Sequence, residues 1–258
     1  MIDDARYMAP LHLAGRLILE YGGETYRVEE TITRMGHAFG FTEVESFAVP
    51  SGIFISYRKS DGTIETAVKR VRKRATDLTR VDAVNAISRQ MEQEPLSCEE
   101  VLTRLQAVEN RPAKLSKLQL ALAVGLSSVG WAVMFAGGFL DALTAFIVAT
   151  LAQVLSFLLD KAGLRSFVAT LTGSFLGTIL PMLLHLSVAA LTVDATVAAC
   201  LMPLLPGLAM TNAVQDTMRG DMVSGIASAT SALLTASMIA AGALVGTTVF
   251  RLMTGGVL

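Results

Sequence analysis

Four polar residues stand out for the company they keep: Thr211, Asn212, Asp216 and Asp221, within the stretch Leu201–Gly225, LMPLLPGLAMTNAVQDTMRGDMVSG. A hydroxyl, an amide and two carboxylates supply both donors and acceptors close to an apolar run. Read as a membrane span, residues Ala195–Gln215 suit a bilayer core of about 30 Å and put Pro206-Gly207 near its middle. Proline removes a backbone donor and clashes with the preceding turn, so the helix is expected to break there. Irregular backbone at membrane depth is tolerated only where protein or a watery cavity surrounds it. Transporters use such discontinuous helices to build substrate sites. The same features fit a proline-kinked helix packed against its neighbours with no ligand.

Other polar groups in apolar surroundings are Gln153 and His185. A histidine that titrates near neutral pH could couple a proton to transport, or simply hold a hydrogen bond near the interface. Asp216, Arg219 and Asp221 could form a charged inner gate, or satisfy helix ends. The placement of the spans puts Asp141 and Asp194 at the outer interface.

Earlier in the chain lies a second cluster, GGETYRVEE, containing Gly23, Glu24, Arg27 and Glu29. Its glycines permit a tight turn, and Arg27 could hold a carboxylate or phosphate in fork geometry. An Arg–Glu surface lattice on a helix accounts for the same residues. The basic run Lys69-Arg70-Val71-Arg72-Lys73-Arg74 could meet anionic lipid headgroups or form a solvated face. Cys98 and Cys200 have neither metal-ligand nor disulfide spacing, and no cofactor is expected. Walker A, HExxH and GxSxG patterns are all lacking, which argues against enzymatic chemistry.

The elements that must position these groups emerge from composition. Of 258 residues, 52% are hydrophobic, but charge is uneven: residues 1–117 hold 17 of the 21 Lys+Arg and 17 of the 22 Asp+Glu. A cytoplasmic α+β domain over 1–117 and a membrane domain over 118–258 are therefore expected. The first thirty residues lack the layout of a cleaved signal peptide. Helical periodicity marks Met8–Tyr21, Glu24–Phe39, Asp82–Glu94 and Cys98–Val108, the last capped by Ser97 with Glu100 three residues on. Alternating runs at Val44–Val49, Ile53–Tyr57 and Thr63–Val68 predict an antiparallel sheet, with a turn over Lys59-Ser60-Asp61-Gly62.

Five apolar segments fit the second half: Leu118–Ala136, Leu140–Leu159, Phe167–Leu191, the broken Ala195–Gln215, and the long Met222–Phe250. GxxxG pairs at Gly173/Gly177 and Gly242/Gly246 predict close helix packing. Arg111, Lys114, Lys117, Lys161, Arg165 and Arg219 flank the spans on the side of the first domain, against Arg251 opposite. That bias predicts a cytoplasmic N-terminal domain and a periplasmic C-terminus.

The segments GGETYRVEETITRMG and PGLAMTNAVQDTMRGDMVSG resemble the two motifs of the threonine/serine exporter family, in the same order. The resemblance implies roles for Gly23, Glu24, Arg27 and Glu29, and for Pro206, Gly207, Thr211, Asn212, Asp216, Gly220, Asp221 and Gly225. Single-chain members continue into a second membrane half, whereas this sequence stops after the fifth span. It therefore resembles the larger subunit of the split, two-component form associated with succinate export. The resemblance implies a five-span polytopic α-helical inner-membrane protein. It would work as a subunit of a secondary exporter moving a small polar metabolite outward, a dicarboxylate such as succinate. Export of threonine and serine driven by the proton motive force is the alternative. Another class is a membrane-anchored ligand-binding or enzymatic domain. A second small polytopic membrane subunit, a homo-oligomer or both are the expected partners, and nucleic acid is not.

Overall fold

The computed structural model describes residues 4–59, 61–72, 75–164 and 166–255. It divides into two compact units. The first comprises residues 1–112 with 207–231, and the second 113–206 with 232–258.

The first unit holds α1 (Met8–Glu20), α2 (Thr25–Ala38), β1 (Val44–Val49), β2 (Gly52–Arg58), β3 (Ile64–Arg70), α3 (Leu78–Gln93) and α4 (Cys98–Glu109). The strands form an antiparallel sheet in the order β1-β2-β3, with Phe47 opposite Phe54 and Phe54 opposite Val68. Because alternate side chains leave opposite faces of a strand, Ile53, Ile55 and Tyr57 turn inward. They meet Leu11, Leu17 and Ile18 of α1 and Val28, Ile32 and Met35 of α2 in one core. Two helix starts are capped by side-chain oxygens: Ser97 accepts from the Glu100 N–H, as its spacing predicts, and Asp77 from the Arg80 N–H. The hairpin turn between β2 and β3 includes Ser60, which lies outside the described residues. In the basic run, Lys69 and Arg70 finish β3 and Val71 is buried. Lys73 and Arg74 lie outside the described residues, as does Arg165.

The second unit contains α5 (Lys117–Met134), α6 (Phe139–Lys161), α7 (Ser166–His185) and α8 (Val193–Leu201), which runs into a 3-10 turn at Met202–Leu204. After the break come α9 (Gly207–Met218) and α10 (Met222–Thr254). Four helices, α5, α6, α7 and α10, are long and apolar enough to cross a membrane. The broken pair Val193–Leu204 and Gly207–Met218 makes a fifth if counted as one. The third apolar segment ends at His185 rather than Leu191: residues 186–192 turn back, and His185 Nδ1 donates to the Leu191 carbonyl at 2.9 Å. The glycine stripes are packing surfaces. Gly177 of α7 faces Cys200 and Leu201 of the α8 helix, while Gly242 and Gly246 of α10 sit against Ser174 and Thr178 of α7. Small residues bring helix backbones close where burial against lipid gains nothing. At 33 residues α10 is about 50 Å long, more than a bilayer core requires. Its residues up to Ser231 group with the first unit and the rest with the second.

Candidate functional site

Within the first unit the two motifs form one constellation. Its floor is the turn before α2. Gly22 adopts φ +91°, a left-handed conformation that a side chain would resist, and the Gly23 N–H donates to the Ile18 carbonyl at 2.8 Å. Glu24 comes next, in extended conformation, as the residue before the helix. Its carboxylate receives Arg27 Nε at 2.7 Å. Burial pushes the Glu24 carboxyl up, but the Arg27 hydrogen bond and the Arg27 and Arg219 charges prevail and hold it below its ordinary value. Arg27 also donates to the Tyr26 hydroxyl at 3.1 Å.

The second side comes from the segment after the proline. Leu205 is extended, at φ −63° and ψ 136°, so the helix stops and restarts at Gly207. One turn into α9, Asn212 Nδ2 donates to the Gly22 carbonyl at 3.2 Å. Another turn on, Asp216 is 1% exposed. The Thr25 hydroxyl and N–H face its carboxylate. Neither Thr25 Oγ1 nor Asp216 Oδ1 completes a hydrogen bond. Gly220, at φ +95°, reverses the chain, and the Asp221 N–H closes the turn on the Asp216 carbonyl at 2.9 Å. The Arg219 guanidinium lies 3.7 Å from the centre of the Tyr26 ring.

Ala48 of β1 joins both sides. Its N–H donates to Glu29 Oε1 at 2.7 Å, and its carbonyl accepts from Ser224 Oγ at 3.1 Å. Burial pushes the Glu29 carboxyl up; the Ala48 N–H opposes this, and the charges of Asp221 and Asp216 add to it. A cleft of about 650 Å³ opens here, lined by Tyr26, Glu29, Arg34, His37, Arg219 and Asp221 among others.

Of the residues singled out from sequence, Asn212 thus binds the carbonyl of Gly22 next to Gly23, Arg27 pairs with Glu24, and the charges of Asp216 and Asp221 act on Glu29. Pro206 and Gly207 form the break. Thr211 is exposed and its hydroxyl donates to the Gly207 carbonyl at 3.0 Å. Gln153, half-buried on α6, and His185 at the end of α7 belong to the other unit. Sequence reasoning passed over Thr25, Tyr26 and Ser224, whose neighbours within both motifs were the available signal. It also undervalued Asp141. That carboxylate is 1% exposed and accepts from the N–H of Gly138 at 2.7 Å, the N–H of Thr192 at 2.7 Å and the Thr196 hydroxyl at 2.8 Å. The G-x-x-D spacing at the start of α6 was its signature. Among the described residues no group of three or more His, Cys, Asp or Glu side chains could hold a metal ion.

Comparison with known proteins gives these features a context. The family model ThrE, described as "Putative threonine/serine exporter", matches residues 11–250. The "Probable succinate transporter subunit YjjP" of Klebsiella aerogenes is 28% identical over 211 residues, covering 81% of this chain and 81% of that protein. Its namesake in Escherichia coli K12 is 29% identical over 214 residues, covering 83% and 82%. The "Probable threonine/serine exporter" of Mycobacterium tuberculosis H37Rv is 24% identical over 249 residues, 95% of this chain but 47% of that protein. No solved structure matches. These relatives are transporters and exporters, not enzymes. With a match running over nearly its whole length, the chain belongs to the threonine/serine exporter family.

Proposed function

We propose that the chain is one subunit of an inner-membrane secondary exporter that moves a small dicarboxylate such as succinate out of the cell, working with a second polytopic membrane subunit. The two relatives named as succinate transporter subunits support the substrate class and the need for a partner, since each aligns over more than four fifths of both chains. In this reading residues 1–117 lie in the cytoplasm and the C-terminus in the periplasm, in keeping with the distribution of basic residues. The solute passes along the segment that restarts at Gly207, where Thr211 is exposed and its hydroxyl donates to the Gly207 carbonyl. Asn212 holds α9 against the turn at Gly22, so that movement of the break is tied to movement of α1 and α2.

The observation that carries this reading is the Asn212–Gly22 hydrogen bond, which joins the post-proline helix to the motif of the N-terminal part. A passive anchor has no use for such a link, and should tolerate replacement of Pro206-Gly207 by Ala-Ala. A second reading, export of threonine or serine, is favoured by the mixed lining of the cleft. Arg34 and Arg219 stand there beside Glu29 and Asp221, a pairing of charges suited to a zwitterion. The test is counter-flow in proteoliposomes, with the chain alone and with its partner subunit. Succinate, threonine and serine are each loaded in turn. Succinate exchange that appears only when both subunits are present supports the proposal. Exchange confined to the amino acids transfers it to the second reading, and exchange of none of them overturns both.

A further inference from the structure

The outer face of the three-stranded sheet is apolar across its middle and basic at one end. Phe47 of β1, Phe54 of β2 and Val68 of β3 stand opposite one another in register, and they remain 49%, 43% and 60% exposed. Since every second residue of a strand leaves the same face, Arg70 comes next on β3 and is exposed. Val71 is buried and its N–H donates to the Ser51 carbonyl at 2.9 Å, so the alternation continues and Arg72 is exposed again. We propose that this face docks on an anionic lipid surface, with the apolar row entering the headgroup layer and Arg70 and Arg72 meeting lipid phosphates. The exporter reading supplies only the cytoplasmic placement; the contact itself needs no transport.

Charge selects the occupant. On the side of the apolar row away from Arg70 lie Glu45, Ser56 and Thr66, and the last two hydroxyls bond each other at 2.9 Å. Arg58, beyond them, is matched by Glu43 at 2.8 Å, whereas among the described residues Arg70 and Arg72 form no ion pair. Guanidinium groups take phosphate oxygens in fork geometry, and basic clusters are drawn to the negative headgroups of a cytoplasmic leaflet. Exposed aromatic rings suit the boundary between headgroups and tails. The face therefore offers both halves of a lipid contact side by side.

Size argues against a protein occupant. Strands of six and seven residues, set about 4.8 Å apart, make a face of about 330 Å². Covered by a second copy it would bury roughly 700 Å² in all, well under the ~1,200 Å² of a stable protein interface. A lipid surface needs no complementary shape. The same chain also carries four helices able to cross a membrane, so docking is intramolecular and a weak contact suffices.

Trp131 is the single tryptophan of the chain, so Phe54→Trp in a Trp131→Phe background puts the one indole on this face. Val68→Trp in the same background is a second reporter. The full chain is placed in lipid nanodiscs whose phosphatidylcholine has brominated tails, with or without phosphatidylglycerol. With the anionic lipid, emission should shift to the blue and be quenched by bromine. With phosphatidylcholine alone both effects should weaken. Arg70→Glu combined with Arg72→Glu should lower the docked-to-free ratio at least about tenfold, and the two changes to Gln should fall between. Absence of bromine quenching in anionic discs overturns the proposal, as does quenching indifferent to lipid charge and to the arginine changes. A blue shift without bromine quenching, confined to discs that hold two chains, assigns the face to a second copy instead. Solute exchange is measured in parallel proteoliposomes. Quenching without exchange leaves the docking in place and removes the exporter reading, and exchange without quenching does the reverse.

Discussion

Asn212 and Gly22, 190 positions apart, are joined by a side-chain N–H to carbonyl hydrogen bond of 3.2 Å. Glycine at 22 is what makes the carbonyl available, since its φ of +91° turns the backbone toward α9. Asn212→Ala leaves that carbonyl without its donor, and Asn212→Asp offers an acceptor where a donor is required. A hydrogen bond of this kind contributes about 1 kcal/mol, so export should fall roughly five- to tenfold in both variants. Immunodetection in the membrane fraction should show normal insertion. Normal export by Asn212→Ala would remove this contact from the working site.

Arg80 is a second joint. Its guanidinium pairs with Asp77 at 3.0 Å, donates to the Tyr21 hydroxyl at 3.0 Å, and fans out to the carbonyls of Val108, Glu109 and Arg111 at the end of α4. Arginine's five fixed donors suit this arrangement, and lysine's point charge does not. Arg80→Ala should cost on the order of 2–4 kcal/mol, because several part-buried acceptors lose their partner at once. Thermal unfolding of the detergent-solubilised chain should place Arg80→Lys between Arg80→Ala and wild type.

The glycines of the apolar helices are not equivalent. A Cβ at Gly242 would collide with Ser174 Oγ and the Leu171 carbonyl of α7, whereas one at Gly130 would meet nothing within 4 Å. Gly242→Ala should destabilise by about 1–3 kcal/mol through overpacking. Gly130→Ala should be neutral or gain up to about 1 kcal/mol from helix propensity. Equal melting temperatures for the two variants would show that the α7–α10 contact is looser than these distances require.

Glu24 and Glu29, one and a half turns apart, respond oppositely to pH. Glu24 is held below its ordinary 4.5, so its contribution to stability is present above that value and is lost as pH falls through the lowered one. Glu29 is pushed above 4.5, so its contribution is present below that value and is lost as pH rises through the raised one. Arg27→Ala should flatten the acid limb of the stability profile, and Glu29→Gln the limb on rising pH. Melting temperature measured across the acid to neutral range checks both; a Glu29→Gln profile identical to wild type would contradict the environment assigned to Glu29.

Periodicity and composition were enough to define most elements of this protein, because each depends on neighbours a few residues away, although α3 begins at Leu78, ahead of the expected Asp82, and α7 ends at His185. Apolar residues at helical spacing placed α1, α2 and α4, alternation placed the three strands, and Ser97 with Glu100 marked the start of α4. The loss of winding near Pro206 was equally local, since a missing N–H and a fixed φ act on the residue that carries them. What no local pattern could convey is the partnership of Gly22 with Asn212, or of Ala48 with Ser224. Sequence places one member of each pair in a charged domain and the other at one end of an apolar run, and a hydrogen bond carries no trace of its partner in residue spacing. Only folding, by setting α9 and the start of α10 in one compact unit with α2 and β1, converts two motifs far apart in the chain into a single cleft.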